Sequence, residues 1–339
     1  MRAVGYRESH KISDSSSLID VELDEPVPTG LDLLVEVKAI SVNPVDTKVR
    51  MASSPPSGEV KVLGWDASGV VVSVASDLSS FKVGDEVWYA GSIARAGTNS
   101  ELHLVDERLV SLKPKSIDHA SAAALPLTSI TAWEILFDRL GVLPGKSAGG
   151  KSILIIGAAG GVGSILVQLC RRLTNLCVIG TASRPESKEW VRSMGAHFVI
   201  DHSKSLIEEI QSIGISNVDY IASLTQTGLH FKEFADLLVP QGKLALIDDP
   251  DPSLIDVGQL KAKSISLHWE MMFTRSLFNT HDMIAQQGIL FEIAELIDKG
   301  LIRTTRTEHY GVINATNLKR AHASIEDGAT IGKIVLAGF

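Results

Sequence analysis

One stretch near the middle of the chain combines an apolar strand, a small-residue turn and the start of a helix. Ile153–Ile156 is apolar, Ser164–Leu169 has helical spacing, and the turn between them contains Gly157, Ala158, Gly160, Gly161, Val162 and Gly163. Such a turn lets backbone N–H groups and a helix N-terminus approach a pyrophosphate without obstruction by side chains. The stretch therefore predicts a dinucleotide site. Ala158 replaces the first glycine of the usual three, so a small-residue turn in another kind of α/β protein is the alternative.

Strands and helices alternate from Lys151 onward. The predicted strands are Ser152–Ile156, Leu176–Gly180, His197–Ile200, Val218–Ala222, Lys243–Ile247 and Ser264–His268. The predicted helices are Gly161–Leu173, Ser187–Met194, Leu206–Ile213 and Phe231–Leu238. Alternation at this spacing predicts an α/β fold with a doubly wound, parallel, six-stranded sheet that is covered by helices on both faces.

The first 125 or so residues have a different texture, with many Val, Gly and Pro residues in short alternating runs. Leu33–Ile40 and Gly69–Val74 are such runs, and this pattern predicts a mostly antiparallel β domain. A short exposed loop is expected at Lys146–Gly150. The final run, Lys333–Leu336, reads as a strand that has no partner in a closed six-stranded sheet, so we expect it to return to the N-terminal domain.

The residues after the second predicted strand bear on the type of dinucleotide. An NAD site normally has an Asp or Glu there for the ribose hydroxyls, but Ala182 and Ser183 are not acidic. Arg184 and Lys188 follow, and a guanidinium suits a 2′-phosphate well. This segment predicts NADPH. The alternative is a solvated loop whose charges are incidental.

Composition excludes several classes of protein. The 339 residues carry a formal net charge of −8, which argues against a nucleic-acid backbone binder. The only two cysteines are Cys170 and Cys177, so no disulfide framework is expected. The chain has no apolar run long enough to span a membrane and no apolar signal core at its start. We expect a cytoplasmic protein.

Five separate stretches together resemble the medium-chain dehydrogenase/reductase superfamily over nearly the full chain, and most closely its quinone oxidoreductase-like branch. The stretches are Ser41–Asp46, Gly64–Gly69, Leu125–Trp133, Ala158–Gly163 and Ile331–Leu336. Within that branch the chain resembles the group called zinc-type alcohol dehydrogenase-like. The resemblance implies a GroES-like, mostly-β catalytic domain at residues 1–126 and 273–339 and a Rossmann NADPH-binding domain at residues 127–272.

The resemblance also implies roles for particular residues and a homodimer formed through the sixth Rossmann strand. Asn43, Asp46 and Thr128 are the implied catalytic residues. The implied cofactor-binding residues beyond the glycine turn are Ser183, Arg184, Lys188, His202 and Lys333. For Asn43 and Asp46 a purely structural role, fixing a turn or capping a helix, is the alternative.

The zinc ligands of the zinc-dependent relatives are missing from this sequence. Asn43 stands where those relatives have a cysteine ligand, Trp65 where they have a histidine, and Asp66 where they have a glutamate. A catalytic zinc needs three close N, S or O ligands, and the four-cysteine structural loop is also missing. We expect no metal.

Three functions are compatible with these observations. The favoured one is an enzyme that transfers a hydride from NADPH to a quinone or an α,β-unsaturated carbonyl compound without a metal. The second is a zinc-type alcohol dehydrogenase. The third is a protein that binds NADPH as a redox sensor or interaction protein with little turnover. A small-molecule acceptor is expected in the first two cases, with no nucleic acid and no membrane partner.

Overall fold

The computed structural model describes residues 1–75, 79–145 and 150–339. Apart from Gly150, the loop predicted at residues 146–150 lies outside the described residues. The chain forms two compact units: unit 1 contains Met1–Ile130 and Phe273–Phe339, and unit 2 contains Thr131–Met272. In the described part of the chain, no helix has the length and apolar character needed to cross a membrane.

The first part of unit 1 is rich in strands, as its alternating pattern predicts. The strands are β1 (Arg2–Tyr6), β2 (Ile19–Glu22), β3 (Asp32–Ser41), β4 (Lys61–Val62), β5 (Ala67–Val74), β6 (Glu86–Tyr89), β7 (Leu102–Asp106) and β8 (Val110–Leu112). Three helices belong to the same stretch of chain: α1 (Pro44–Ala52), α2 (His119–Ala123) and α3 (Pro126–Trp133). The boundary between the units falls inside α3, after Ile130, whereas the sequence analysis drew it after residue 126.

Unit 2 is an alternating α/β layer structure. Its strands are β9 (Ser152–Ile156), β10 (Cys177–Thr181), β11 (Phe198–Ile200), β12 (Val218–Ser223), β13 (Leu238–Leu246) and β14 (Ser266–Trp269). Its α-helices are α4 (Gly161–Leu173), α5 (Pro185–Met194), α6 (Leu206–Ser212) and α7 (Thr227–Leu237), and Glu134–Arg139 forms a π-helical turn. All strand pairs are parallel, in the order β11-β10-β9-β12-β13-β14. This is a Rossmann sheet, and the predicted fold class is confirmed.

One strand of unit 2 extends further than its sequence predicts. The predicted strand begins at Lys243, yet β13 already includes Pro240–Gly242. The pairing of β13 with β12 shifts between Leu238 and Lys243, and Gln241 there has a φ of +66°. The turn-forming residues therefore make a bulge within the strand and do not separate the helix from it.

The C-terminal residues complete unit 1. They form α8 (Thr274–Phe278), α9 (Ala285–Asp298), β15 (Arg306–His309), α10 (Ala315–Glu326) and β16 (Lys333–Ala337). β16 pairs antiparallel with β3, and the larger sheet of unit 1 has the order β15-β16-β3-β5-β6-β8. In this sheet Val335 is opposite Ser41, and Ile40 is opposite Ala67. The register brings the start of β16, the end of β3 and the start of β5 to one edge of the sheet.

Candidate active site

The glycine turn of unit 2 connects β9 to α4. Gly157 has a φ of +78°, a left-handed conformation that glycine adopts without steric cost. A Cβ on Gly163 would lie 2.5 Å from the carbonyl oxygen of Gly157 and 2.6 Å from the Cα of Ala158. Only glycine therefore fits at position 163, and the first turn of α4 lies directly against the end of the strand.

The N-terminus of α4 suits an anionic ligand. Gly160 is the N-cap residue and no side chain caps the helix. Gly161 and Val162, in the first turn, are only partly buried. Amide groups at an uncapped helix start lack intrahelical acceptors and carry a partial positive charge. These residues fit the pyrophosphate of a nicotinamide dinucleotide.

The carboxyl end of β10 carries the residues that were predicted to surround a 2′-phosphate. Arg184 is exposed at the N-cap of α5, and Ser183 beside it is partly buried. Lys188 donates a hydrogen bond to Asp201, which follows β11, at a distance of 3.1 Å. Hydrogen bonds from Ser203, together with Lys188, lower the pKa of Asp201 to about 2. The charge of Lys188 is therefore already matched by a carboxylate in this structure.

A cavity of 670 Å³ lies at the same end of the sheet. It is lined by His202, Ser203, Lys204, Ser205, Gln226, Leu229, His230 and Glu233. Nδ1 of His202 and Nε2 of His230 are buried and have no hydrogen-bond partner among the described residues. Burial lowers the pKa of both imidazoles, so each ring is favoured in its neutral form.

Unit 1 contains a buried polar network centred on Asp66. Its Oδ2 accepts hydrogen bonds from Ser41 at 2.8 Å, Asn43 Nδ2 at 2.7 Å and Lys333 Nζ at 3.1 Å. Its Oδ1 accepts from the backbone N–H of Leu127 at 2.8 Å. Asp66 is completely buried and Lys333 is 3% exposed. The network joins β3, α3 and β16 to the residue immediately before β5.

Asn43 and Asp46 form the start of α1. Asn43 is the N-cap residue, and its backbone N–H donates to Asp46 Oδ2 at 2.6 Å. Burial raises the pKa of the Asp46 carboxyl to about 7, against the lowering effect of its hydrogen bonds and of Lys333. Oδ1 of Asp46 has no hydrogen-bond partner among the described residues. The helix-capping alternative therefore describes part of what Asp46 does, but it leaves this oxygen unexplained.

Thr128 and Lys333, which were predicted to face the cofactor, both have internal partners. The hydroxyl of Thr128 donates to the carbonyl of Leu125 at 3.1 Å, and the side chain is 2% exposed. Lys333 donates to the Val42 carbonyl at 3.1 Å and also to Asn43 Oδ1. The structure therefore brings Asn43, Asp46 and Lys333 together in unit 1, with Thr128 one residue from the network.

Two family profiles match the chain. The alcohol dehydrogenase GroES-like domain matches residues 30–115, and the zinc-binding dehydrogenase profile matches residues 194–336. A zinc-type alcohol dehydrogenase-like protein of Staphylococcus epidermidis is 38% identical over 337 residues, which are 99% of both chains. The chain belongs to the medium-chain dehydrogenase/reductase superfamily. Its members include oxidoreductases, and this chain is an oxidoreductase of that family.

Solved structures of superfamily members have the same fold. A protein from Rhizobium etli CFN 42, named as a zinc-dependent alcohol dehydrogenase, has a TM-score of 0.96 and 54% identity, with 100% of this chain and 98% of that chain covered. The Escherichia coli quinone oxidoreductase complexed with NADPH has a TM-score of 0.82 and 24% identity, with 99% of this chain and 100% of that chain covered. The second likeness concerns the fold alone.

Two of the zinc-ligand positions that the resemblance implies are occupied by Trp65 and Asn43, and both side chains make other contacts in this structure. Trp65 is buried, donates its indole N–H to the Ser92 carbonyl at 3.2 Å and packs edge-on against Phe273. Asn43 is held between Lys333 and Asp66. Among the described residues no group of three or more His, Cys, Asp or Glu side chains is arranged to hold a metal ion.

Sequence reasoning missed three residues of the candidate site: Ser41, Asp66 and Asp201. Ser41 was quoted only as part of a matching stretch, and Asp66 only there and as the replacement for a glutamate of the zinc-dependent relatives. A signal was available for Asp66, since a carboxylate among the apolar residues that open a strand needs a buried partner. For Asp201 there was no comparable signal, because its partner Lys188 lies on the preceding helix.

Proposed function

We propose that this superfamily member is an NADPH-dependent reductase that transfers a hydride to a quinone or an α,β-unsaturated carbonyl compound without a metal. The observation that carries the proposal is the network of Asn43, Asp66 and Lys333. An amide and an ammonium group occupy the region where zinc-dependent relatives hold their metal ligands. An ammonium beside the amide disfavours a divalent cation through charge repulsion, and neither Asn43 nor Trp65 is a zinc ligand of choice.

An acceptor that is already electrophilic suits such a site. NADPH, when bound, supplies the hydride. The acceptor carbon gains the hydride and its electron pair, the π electrons move to the carbonyl oxygen, and that oxygen or the α-carbon then takes a proton from solvent. In this proposal the chain's own part is to orient the acceptor, exclude water and donate hydrogen bonds to the developing oxyanion. Asn43 is the proposed donor, and Thr128 is proposed to help hold the cofactor and the acceptor in one geometry.

The choice of NADPH over NADH rests on the end of β10. Arg184 is exposed there, Ala182 is buried, and no carboxylate stands at either residue 182 or residue 183. A guanidinium binds a phosphate through two parallel hydrogen bonds, and its positive charge attracts the negatively charged 2′-phosphate. The imidazole of His202 lies at the end of the neighbouring strand and lines the cavity there. Ser183, Arg184, Lys188 and His202 remain the proposed 2′-phosphate residues, with Arg184 the leading one.

A zinc-type alcohol dehydrogenase is the second candidate, favoured by the names of the relatives. A third is an NADPH-binding sensor with little turnover. The deciding experiment follows NADPH oxidation with a panel of quinones, enals, enones and saturated ketones, each with and without chelator. Turnover of quinones or enones that survives chelation supports the proposal. Turnover of saturated ketones that chelation abolishes supports the second candidate, and tight NADPH binding without turnover supports the third.

We also propose a homodimer formed through β14. This strand is at the edge of the parallel sheet, and its last residue, Trp269, is 55% exposed. An uncovered strand edge with an exposed aromatic residue is a surface that pairs readily with a second copy. Sedimentation equilibrium of the protein and of Trp269→Lys tests this proposal: a dimer that the variant weakens supports it, and a monomer at all concentrations contradicts it.

A further inference from the structure

The buried lysine of unit 1 has as many acceptors as it has protons to donate. Lys333 Nζ donates to the Val42 carbonyl at 3.1 Å, to Asp66 Oδ2 at 3.1 Å and to Asn43 Oδ1. A lysine that is 3% exposed loses nearly all of its hydration. Such a charge is retained only when a counter-charge and hydrogen bonds replace the water. Asp66 supplies the counter-charge.

The two charges fix the amide of Asn43 in one orientation. Oδ1 faces the ammonium of Lys333, and Nδ2 donates to the carboxylate of Asp66 at 2.7 Å. The flipped amide would place N–H groups against the ammonium and the carbonyl oxygen against the carboxylate, so both contacts would become repulsive. An amide has a second N–H on Nδ2, and no described residue accepts from it. The ammonium at Oδ1 also polarises the amide and strengthens that remaining donor.

We propose that Lys333 and Asp66 are positioning residues, which hold the Asn43 amide so that its remaining N–H is directed to the oxygen of the acceptor. The inference rests on the proposed function and deepens it, because it identifies the residues that align the Asn43 amide. Lys333 then acts through Asn43 and does not bind the cofactor. Asp66 also contributes through its other carboxylate oxygen, Oδ1. This oxygen accepts a hydrogen bond from the backbone N–H of Leu127, the residue before Thr128.

The neighbouring Asp46 provides a readout of the charge on Lys333. Two buried carboxylates, Asp46 and Asp66, lie near one buried ammonium, and Asp46 also accepts from the backbone N–H of Asn43. Lys333 lowers the pKa of Asp46 while Asp66 and burial raise it. Removal of the ammonium must therefore shift the titration of Asp46 to higher pH. If Lys333 served only to fill space, its replacement would not shift the titration of Asp46.

The test compares Lys333→Met and Lys333→Arg with Lys113→Met. Lys113 is a matched control because it is also a buried lysine of unit 1, with carbonyl acceptors at Pro114 and Ile117 and a carboxylate at Glu86. For Lys333→Met we expect kcat to fall about 10- to 100-fold, with KM and NADPH affinity within about 2-fold. The pH profile of kcat should move to higher pH, and Lys333→Arg should recover part of the rate. Lys113→Met should have the normal kcat and pH profile.

A second measurement does not depend on turnover. The side-chain amide protons of Asn43 should exchange slowly and give one sharp pair of NMR signals in the unmodified protein, and exchange faster in Lys333→Met. If Lys333→Met fails to fold, the double variant Lys333→Met with Asp66→Asn removes both charges and avoids an uncompensated buried carboxylate. It should fold and have the same loss of kcat.

Two outcomes overturn the inference. One is a Lys333→Met protein whose pH profile and Asn43 amide exchange match those of the unmodified protein. The other is a loss of activity in Lys113→Met equal to that in Lys333→Met, which would indicate a general effect of removing a buried lysine. If the proposed function is wrong, the results differ from both of these. The unmodified protein then reduces no quinone or enone, while the NMR signals of the Asn43 amide still respond to Lys333→Met.

Discussion

Lys188 and Asp201 form an ion pair across 3.1 Å at the carboxyl edge of the parallel sheet. The pair joins helix α5 to the end of β11, and it leaves Lys188 with a carboxylate that any incoming phosphate must displace. Arg184, four residues earlier, is exposed at the N-cap of the same helix. The two cations that the sequence offers for a 2′-phosphate therefore differ in their surroundings, and we expect them to differ in their contributions.

Replacing Arg184 by Ala should weaken NADPH binding much more than NADH binding. A charge-assisted hydrogen bond is worth enough for a loss of about 10- to 150-fold in NADPH affinity. Lys188→Met is the matched comparison. It should reduce NADPH affinity less, because Lys188 gives up its ion pair with Asp201 when it binds the phosphate. Titration calorimetry with both cofactors measures these affinities. Equal affinity of the unmodified protein for NADPH and NADH would contradict the assignment.

Purified protein should contain no stoichiometric zinc and should keep its full reductase activity in chelator. The physical reason is that Asn43 and Trp65 stand at two ligand positions and Lys333 places a positive charge beside Asn43. Metal analysis and activity assays on the same preparation make the comparison. Near-equimolar zinc that is lost together with activity would rule this prediction out.

Thr128→Val should lower turnover per folded molecule about 10-fold or more if the hydroxyl helps to align the acceptor and the cofactor. The variant also loses the hydrogen bond to the Leu125 carbonyl, which stabilises the fold by about 0.5–1.5 kcal/mol. Kinetics and thermal unfolding on the same samples separate the two effects. Normal turnover per folded molecule, together with a slightly lower melting temperature, would assign Thr128 a structural role only.

The stability of the protein should fall as the pH drops from about 6.5 towards 3, and His322 should account for part of the loss. Burial, and secondarily the charge of Arg50, lowers the pKa of this histidine from 6.5 to about 3. Because the unfolded chain then binds the proton more readily, the contribution is complete above about pH 6.5. It decreases by up to about 1.4 kcal/mol per pH unit as the pH falls. Carboxyl groups such as Asp282, with a pKa lowered to about 2, act only at lower pH.

His322→Phe should flatten the pH dependence in that window, since it removes the buried titrating ring. His281→Asn is a control at an exposed histidine. Urea unfolding at a series of pH values gives the free energies of unfolding. An unchanged slope between pH 6.5 and 4 in His322→Phe would show that other groups cause the acid loss.

Much of unit 2 could be predicted because its signals are local. The apolar run before Gly157, the small residues after it and the helical spacing beyond Gly163 lie within one short segment, and each acts on its immediate neighbours. β9 and α4 have the predicted bounds. β13 does not, because its pairing with β12 begins at Leu238 and continues past an irregularity at Pro240–Gly242.

The sequence by itself determined the fold class, the dinucleotide turn and the residue types at positions 43 and 65. These follow from side-chain size, backbone freedom and ligand chemistry, which are properties of single residues and short segments. The tertiary structure decided which polar groups become partners. Lys333 and Asp66 are 267 positions apart, and Lys333 and Asn43 are 290 positions apart, yet antiparallel pairing of β16 with β3 brings them together. The partner of a buried charge depends on the register of strands from opposite ends of the chain, and no local pattern specifies that register.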